Sequence, residues 1–183
     1  MPAPRNSRAE GVPASRLIVV CGLPATGKTT VASALAQAHG AAFVRIDTIE
    51  HAIVEWSPLE QPLGPVGYAV GYALAAEQLK LGLDVVVECV NPLIVTRDAW
   101  ARVGTQASAQ LLEVELVCSD RHEHRRRAES RTVDIPGLVL PTWRQIMERE
   151  YEPWSRPHLI IDTASRTAPE CVALISRQLT PQS

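Results

Sequence analysis

The stretch "LIVVCGLPATGKTTVASALA", Leu17–Ala36, decides how the rest of the chain is read. Leu17–Val20 form a continuous apolar run, the pattern of a strand buried on both faces, while Val31, Ala34, Leu35 and Ala38 fall at helical spacing. Between them Gly22-Leu-Pro-Ala-Thr-Gly27-Lys28-Thr29 matches the phosphate-loop pattern GxxxxGK[ST]. Glycines at 22 and 27 let the backbone turn tightly so that successive N–H groups face one anion, and the following helix adds the positive end of its dipole. In this pattern Lys28 reaches the β- and γ-phosphates of a nucleotide and the Thr29 hydroxyl ligates Mg²⁺.

Composition bounds what surrounds this loop. With 183 residues, 46% of them hydrophobic and 21% charged, the chain reads as one soluble domain with a substantial core. A formal net charge of -2 supplies no global basic field for nucleic acid or anionic membrane. No apolar run approaches the roughly 20 residues of a membrane span, and the cytoplasm is the expected compartment. Residues 1–15, "MPAPRNSRAEGVPAS", lack a hydrophobic centre and read as a disordered tail rather than a signal peptide. Cys21, Cys89, Cys118 and Cys171 are far apart, without a CxxC pair, and read as small hydrophobes more than as metal ligands or disulfides. Only two lysines occur, Lys28 and Lys80, and one of them falls in the phosphate-loop position.

Further along, "AAFVRID" reads as a second strand ending in Asp47, and "TIEHAIVEW" as a short helix broken by the proline-rich "SPLEQPLGP". "VGYAVGYALAAEQLKLG" reads as a helix packed on a sheet, "LDVVVECV" as a strand ending near Glu88, and "LLEVELVC" as a fourth strand. The spacing predicts a helix from the N-cap Thr142 up to Pro153, then a last strand "HLIID" and a closing helix. Five strands alternating with helices predict a parallel sheet covered on both faces, with ligands at the carboxyl ends of the strands. Gly22 onward, Asp47, Glu88 with Asn91, Asp120, and Asp162 with Thr163 would then share one rim.

At that rim Asp47 can take the proton of an attacking hydroxyl, or can cap the helix that follows. Glu88 stands where a Walker-B acid would; it can hold Mg²⁺ through water, orient an acceptor, or simply bond the phosphate loop. Asn91 and Arg97 are open between contact with an acceptor and the roles of loop cap and exposed helix charge. "RHEHRRRAESR" places Arg127 and Arg131 four apart, on one face if helical, ahead of a proline- and glycine-bearing loop, the makings of a lid over about residues 120–140. The same run can be a solvated face. His122 and His124 have no further spaced ligands for a metal, and without interleaved aromatics the arginines do not read as a nucleic-acid patch.

On these residues the chain resembles the P-loop kinases of the nucleoside-monophosphate-kinase-like group. It is most similar to the small ATP-binding proteins gathered under an AAA-domain label. Relatives in that group include chloramphenicol phosphotransferase, the zeta toxins, gluconate and shikimate kinases, and polynucleotide 5′-hydroxyl kinases. The resemblance spans about residues 16–180 and is carried by "GLPATGKTT", the acid of "VRIDTIE", "VVVECVNP", "HRRRAESR" and "IIDTAS". It implies an α/β P-loop NTPase fold, one domain over 16–183 with a five-stranded parallel sheet in the order 2-3-1-4-5, and an arginine-bearing lid. It implies ATP and Mg²⁺ as cofactors, with nucleotide contacts from Gly22, Leu23, Pro24, Ala25, Thr26, Gly27, Lys28, Thr29, Thr30 and Arg127, and Thr163 near the adenine. Mg²⁺ would sit at Thr29 and, through water, Glu88. Catalysis would fall to Lys28, Asp47, Arg127 and Arg131.

Glu88 replaces the more usual aspartate and no arginine follows at once, which speaks against a nucleoside monophosphate acceptor, and no guanine signature is present. The expectation is therefore a kinase that moves the γ-phosphate of Mg·ATP to a hydroxyl of a small molecule, without membrane or nucleic-acid partners. The acceptor would lie against His51–Tyr68, with Trp56, Tyr68 and Tyr72 as walls. A 5′-hydroxyl nucleic-acid kinase, a UDP-sugar kinase of zeta-toxin type and an ATP-binding regulatory switch are the alternatives.

Overall fold

Leu17, Val19 and Cys21 bury their side chains on one side of the first strand and Ile18 and Val20 on the other, so helices must cover both faces of the sheet that this strand joins. The computed structural model describes residues 14–180. The elements run β1 Arg16–Cys21, α1 Lys28–His39, β2 Ala42–Arg45, α2 Ile46–Trp56, α3 Val66–Lys80, β3 Val85–Glu88, α4 Ile94–Gln106, β4 Gln110–Val117, α5 Arg121–Ser130, α6 Trp143–Met147, β5 Leu159–Asp162 and α7 Ala168–Leu179. The five strands form one parallel sheet in the order β2-β3-β1-β4-β5, as expected. Val20 pairs with Glu88 and with Val114, so the phosphate loop leaves the sheet directly beside the buried acid at the end of β3.

Under α1 and α7 lies a core of Ile18, Val20, Leu35, Val86, Leu116, Ile161 and Ile175. Under α3 and α4 lies a second core of Leu17, Val19, Val44, Leu79, Val85, Val87 and Trp100. Cys21, Cys89 and Cys171 are buried in these layers and all four cysteines are free thiols. Of the tail expected over 1–15, residues 1–13 lie outside the described residues; Ser15 is buried and its carbonyl accepts from the Gln110 N–H. No helix among the described residues is long and apolar enough to cross a membrane.

Two boundaries differ from the sequence reading. β2 stops at Arg45, and Asp47 is the second residue of α2 rather than the end of the strand; Ile46 turns into the core and starts the helix two residues early. Asp47 is also not the cap, since that position belongs to Arg45. The helix capped by Thr142 has its capping box with Gln145, but it ends at Met147 instead of running to Pro153. The reason is Arg97, open in the sequence between acceptor contact and an exposed helix charge and found 1% exposed. Its guanidinium donates to the carbonyls of Asn91, Pro92, Glu152 and Pro153 and packs over the rings of Tyr151 and Trp154. The Glu152 N–H donates to the Pro92 carbonyl at 2.8 Å instead of back along a helix, and with Arg97 bonding the Glu152 and Pro153 carbonyls, residues 151–154 are held as an irregular strap. Arg97 therefore neither contacts the cavity nor faces solvent.

Candidate active site

The loop after β1 is shaped by backbone angles that few side chains tolerate. Gly22 has φ +136°, and a Cβ there would lie 2.2 Å from the Leu116 carbonyl oxygen. Gly27, with φ +89°, precedes α1. Ala25 holds φ +66° despite its side chain, a strain of ~1–2 kcal/mol that points to a functional loop. The Thr26 hydroxyl and the Lys28 ammonium both donate to the Leu23 carbonyl, at 2.9 and 2.8 Å. Thr163 is buried beneath the loop, within hydrogen-bond distance of the Thr26 carbonyl at 3.0 Å. His124 donates from Nε2 to the Pro24 carbonyl at 2.8 Å and meets the Trp143 ring edge-on, so α5 and α6 brace the loop from its outer side.

In front of the loop is a cavity of about 1630 Å³. Pro24, Ala25, Gly27, Lys28, Thr29 and Thr30 line one end of it, together with Asp47, Glu88, Arg127 and Arg131. Gly22, Leu23, Thr26 and Thr163 do not line it; they support the loop from behind. Arg127 joins the two layers, donating to Glu123 and to both oxygens of Thr163. Arg131 is the C-cap of α5 rather than a residue of its helical face, yet it still reaches the cavity.

Electrostatically the site is a buried cluster of opposite charges. Burial pushes Lys28 below its ordinary value, opposed by Glu88 and Asp47. Burial also raises Glu88, opposed chiefly by Lys28, with Arg45 and a hydrogen bond from Thr29 acting the same way. The Thr29 hydroxyl donates to Glu88 Oε2 at 3.3 Å, and the Arg45 guanidinium lies 2.9 Å from that same oxygen. A hydroxyl and a carboxylate facing one point beside a phosphate-binding loop are the oxygen donors Mg²⁺ prefers, with the remaining positions left to water and phosphate. Burial lowers Arg131 as well.

The sequence reading passed over several residues that the fold brings here. Arg45 links Glu88 to Asp134 in the loop after α5, and its position at a strand end was the only available signal. Glu50, Arg102 and Arg149 line the cavity too. Leu63, Tyr68, Tyr72, Leu93 and Val95 form its apolar wall. Trp56, expected in that wall, is 83% exposed at the far end of α2. Asn91 is fully buried with φ +53°, Asp120 caps α5, and the Asp162 carboxylate accepts from the Ser119 and Ala164 N–H groups; none of the three lines the cavity.

A family model described as an AAA domain matches residues 17–149. Among solved structures, the APS kinase of Mycobacterium tuberculosis in complex with AMPPNP and APS is similar at TM-score 0.69 and 18% identity, over 91% of this chain and 98% of that one. A sugar kinase from Janibacter gives TM-score 0.66 at 16% identity, over 90% and 94%. A gluconokinase from Sinorhizobium meliloti gives 0.59 at 22%, over 91% and 96%. At these identities the likeness is one of fold. None of the curated proteins matches.

Proposed function

Because the chain belongs to the AAA domain family, whose match covers the phosphate loop, Asp47, Glu88 and both lid arginines, we propose that it is an ATP-dependent kinase acting on a hydroxyl of a small molecule. One observation carries this reading. A single cavity runs from the phosphate loop to a separate apolar wall, and it contains Asp47 as a carboxylate with no hydrogen bond to the described residues. That is more than a nucleotide-binding switch needs: it provides room for a second reactant and a group to deprotonate it.

The backbone N–H groups of Ala25–Lys28 and the start of α1 would hold the phosphates of ATP. Lys28 would exchange its bond to the Leu23 carbonyl for the β- and γ-phosphates. Thr29 and Glu88 would hold Mg²⁺, which when bound neutralises charge on the phosphate oxygens. Asp47 accepts the proton of the acceptor hydroxyl as its oxygen attacks the γ-phosphorus. Arg127 and Arg131 offer planar donors to the transferring oxygens. Thr163 supports this arrangement by fixing both Arg127 and the loop, a different role from contact with the adenine. The sugar kinase and the gluconokinase that share this fold agree with a hydroxyl acceptor.

The experiment is phosphate transfer from γ-labelled Mg·ATP across sugars, cyclitols, antibiotics, nucleosides, UDP-sugars and 5′-hydroxyl oligonucleotides, with Asp47→Asn alongside. The variant should lose ~10²–10⁴-fold in turnover while ATP affinity stays within about twofold. Equal loss of ATP binding would give Asp47 a structural or metal role instead.

A further inference from the structure

We infer that Glu50 is a specificity residue of the acceptor end of this cavity, and that the acceptor is a neutral polyol whose hydroxyl neighbouring the phosphorylated one bonds to Glu50. The inference rests on the kinase reading above and names its substrate class.

Of the four acids that line the cavity, Glu88 is paired with Arg45 and Thr29, and Asp134 with Arg45. Asp47 and Glu50 make no hydrogen bond or ion pair with the described residues. They sit three apart on α2, so they project from one face of the helix at neighbouring positions. Two free carboxylates one turn apart match two hydroxyls on adjacent carbons, one to be deprotonated and one to be held.

Glu50 also has a place built for it. Its side chain lies over Gly67 of α3, where a Cβ would come within 2.3 Å of its Cγ and 2.8 Å of its Oε1. Any residue but glycine at 67 would push the carboxylate out of position. The charges around it select against ionic acceptors. A phosphate monoester would bring its negative charge up to Glu50 and Asp47. A cationic amine would meet Arg149, whose charge already acts on Glu50 from the segment after α6, and Arg45 and Arg131 beyond Asp47. A neutral polyol avoids both conflicts, and its C–H face suits Leu63, Tyr68 and Tyr72.

The test is calorimetric titration of the Mg·AMPPNP-loaded protein with myo-inositol, D-glucose and glycerol as neutral probes, streptamine as a cationic probe and AMP as an anionic one. Wild type, Glu50→Gln and Gly67→Ala are compared. Gly67→Ala replaces a glycine in the first turn of α3 by the best helix former, so it retains the fold while displacing Glu50. The expected result is that a neutral probe binds tightest to wild type and about 10- to 100-fold more weakly to both variants, the loss of one hydrogen bond to a charged acceptor. AMPPNP affinity should be unchanged in both. Absence of binding by every neutral probe, tighter binding of streptamine or AMP, or equal affinity in Glu50→Gln would overturn the inference. Transfer from labelled ATP to the bound probe is read separately. Glu50-dependent binding without transfer would sink the kinase reading alone, and transfer with an unchanged KM in Glu50→Gln would sink the role of Glu50 alone.

Discussion

Replacing Arg97 by leucine should destabilise the protein by about 4 kcal/mol, although position 97 lies outside the cavity. The substitution keeps an apolar stem of similar length and removes the guanidinium. Three carbonyl oxygens then lose their donor, Asn91 in the interior and Glu152 and Pro153 in partly buried positions, while Pro92 loses one of two. The fully buried acceptor costs ~1–3 kcal/mol when left unpaired, and Glu152 and Pro153, which water can reach in part, ~0.5–1 each. Loss of the contacts to the Tyr151 and Trp154 rings adds ~0.5–1 kcal/mol, and leucine returns some of the total by packing against them. For a chain of this size, a change of ~4 kcal/mol lowers Tm by about 8–16 °C. Urea unfolding followed by far-UV circular dichroism measures the loss, and tryptophan fluorescence reports release of Trp154. The strap also positions Pro92 and Leu93 in the cavity wall, and its Glu152 N–H donates to the Pro92 carbonyl at 2.8 Å. Weakened acceptor binding at temperatures where the variant is folded is thus expected. A loss below ~1 kcal/mol with an unshifted fluorescence spectrum would refute the account of Arg97 as the pin that ends α6 and holds the strap.

Gly22→Ala should abolish nucleotide binding and cost several kcal/mol, on the order of 3 or more, because it combines a left-handed φ with a Cβ 2.2 Å from a carbonyl oxygen; thermal shift with and without Mg·AMPPNP reads both effects. Glu50→Gln should stabilise the protein at pH 8. Burial, with Asp47 adding to it, raises Glu50 from 4.5 to about 6. The folded state thus holds this proton more tightly than the unfolded chain, and the resulting stability is present below pH 4.5 and lost as pH rises through 6. The full linkage of ~2 kcal/mol falls to about 1 once solvent screening at this partly buried position is allowed for. Urea midpoints should favour the variant at pH 8 and converge near pH 4.5; a variant less stable at pH 8 would contradict an unpartnered carboxylate. Combined with weaker acceptor binding, a stability gain separates a functional acid from a structural one.

The sequence by itself determined the sheet and the phosphate loop. A continuous apolar run, two glycines at fixed spacing and a helical repeat are local signals, and alternation of strands with helices allows few topologies once the connections must be right-handed crossovers. Those signals placed Lys28, Thr29, Asp47 and Glu88 on one rim, and all four line the cavity. What only the tertiary structure decided depends on partners distant in the chain. Arg97 reads as an acceptor contact or an exposed charge, and the stretch fifty residues later as an ordinary helix, until they are packed together, when satisfying buried backbone groups outweighs helical propensity. Thr163 and His124 brace the loop through bonds spanning well over a hundred and about a hundred residues, which no spacing rule detects. Glu50 carries no motif or spacing that sets it apart in the sequence. Its meaning comes from Gly67 on the next helix, whose missing side chain leaves the space that the carboxylate occupies.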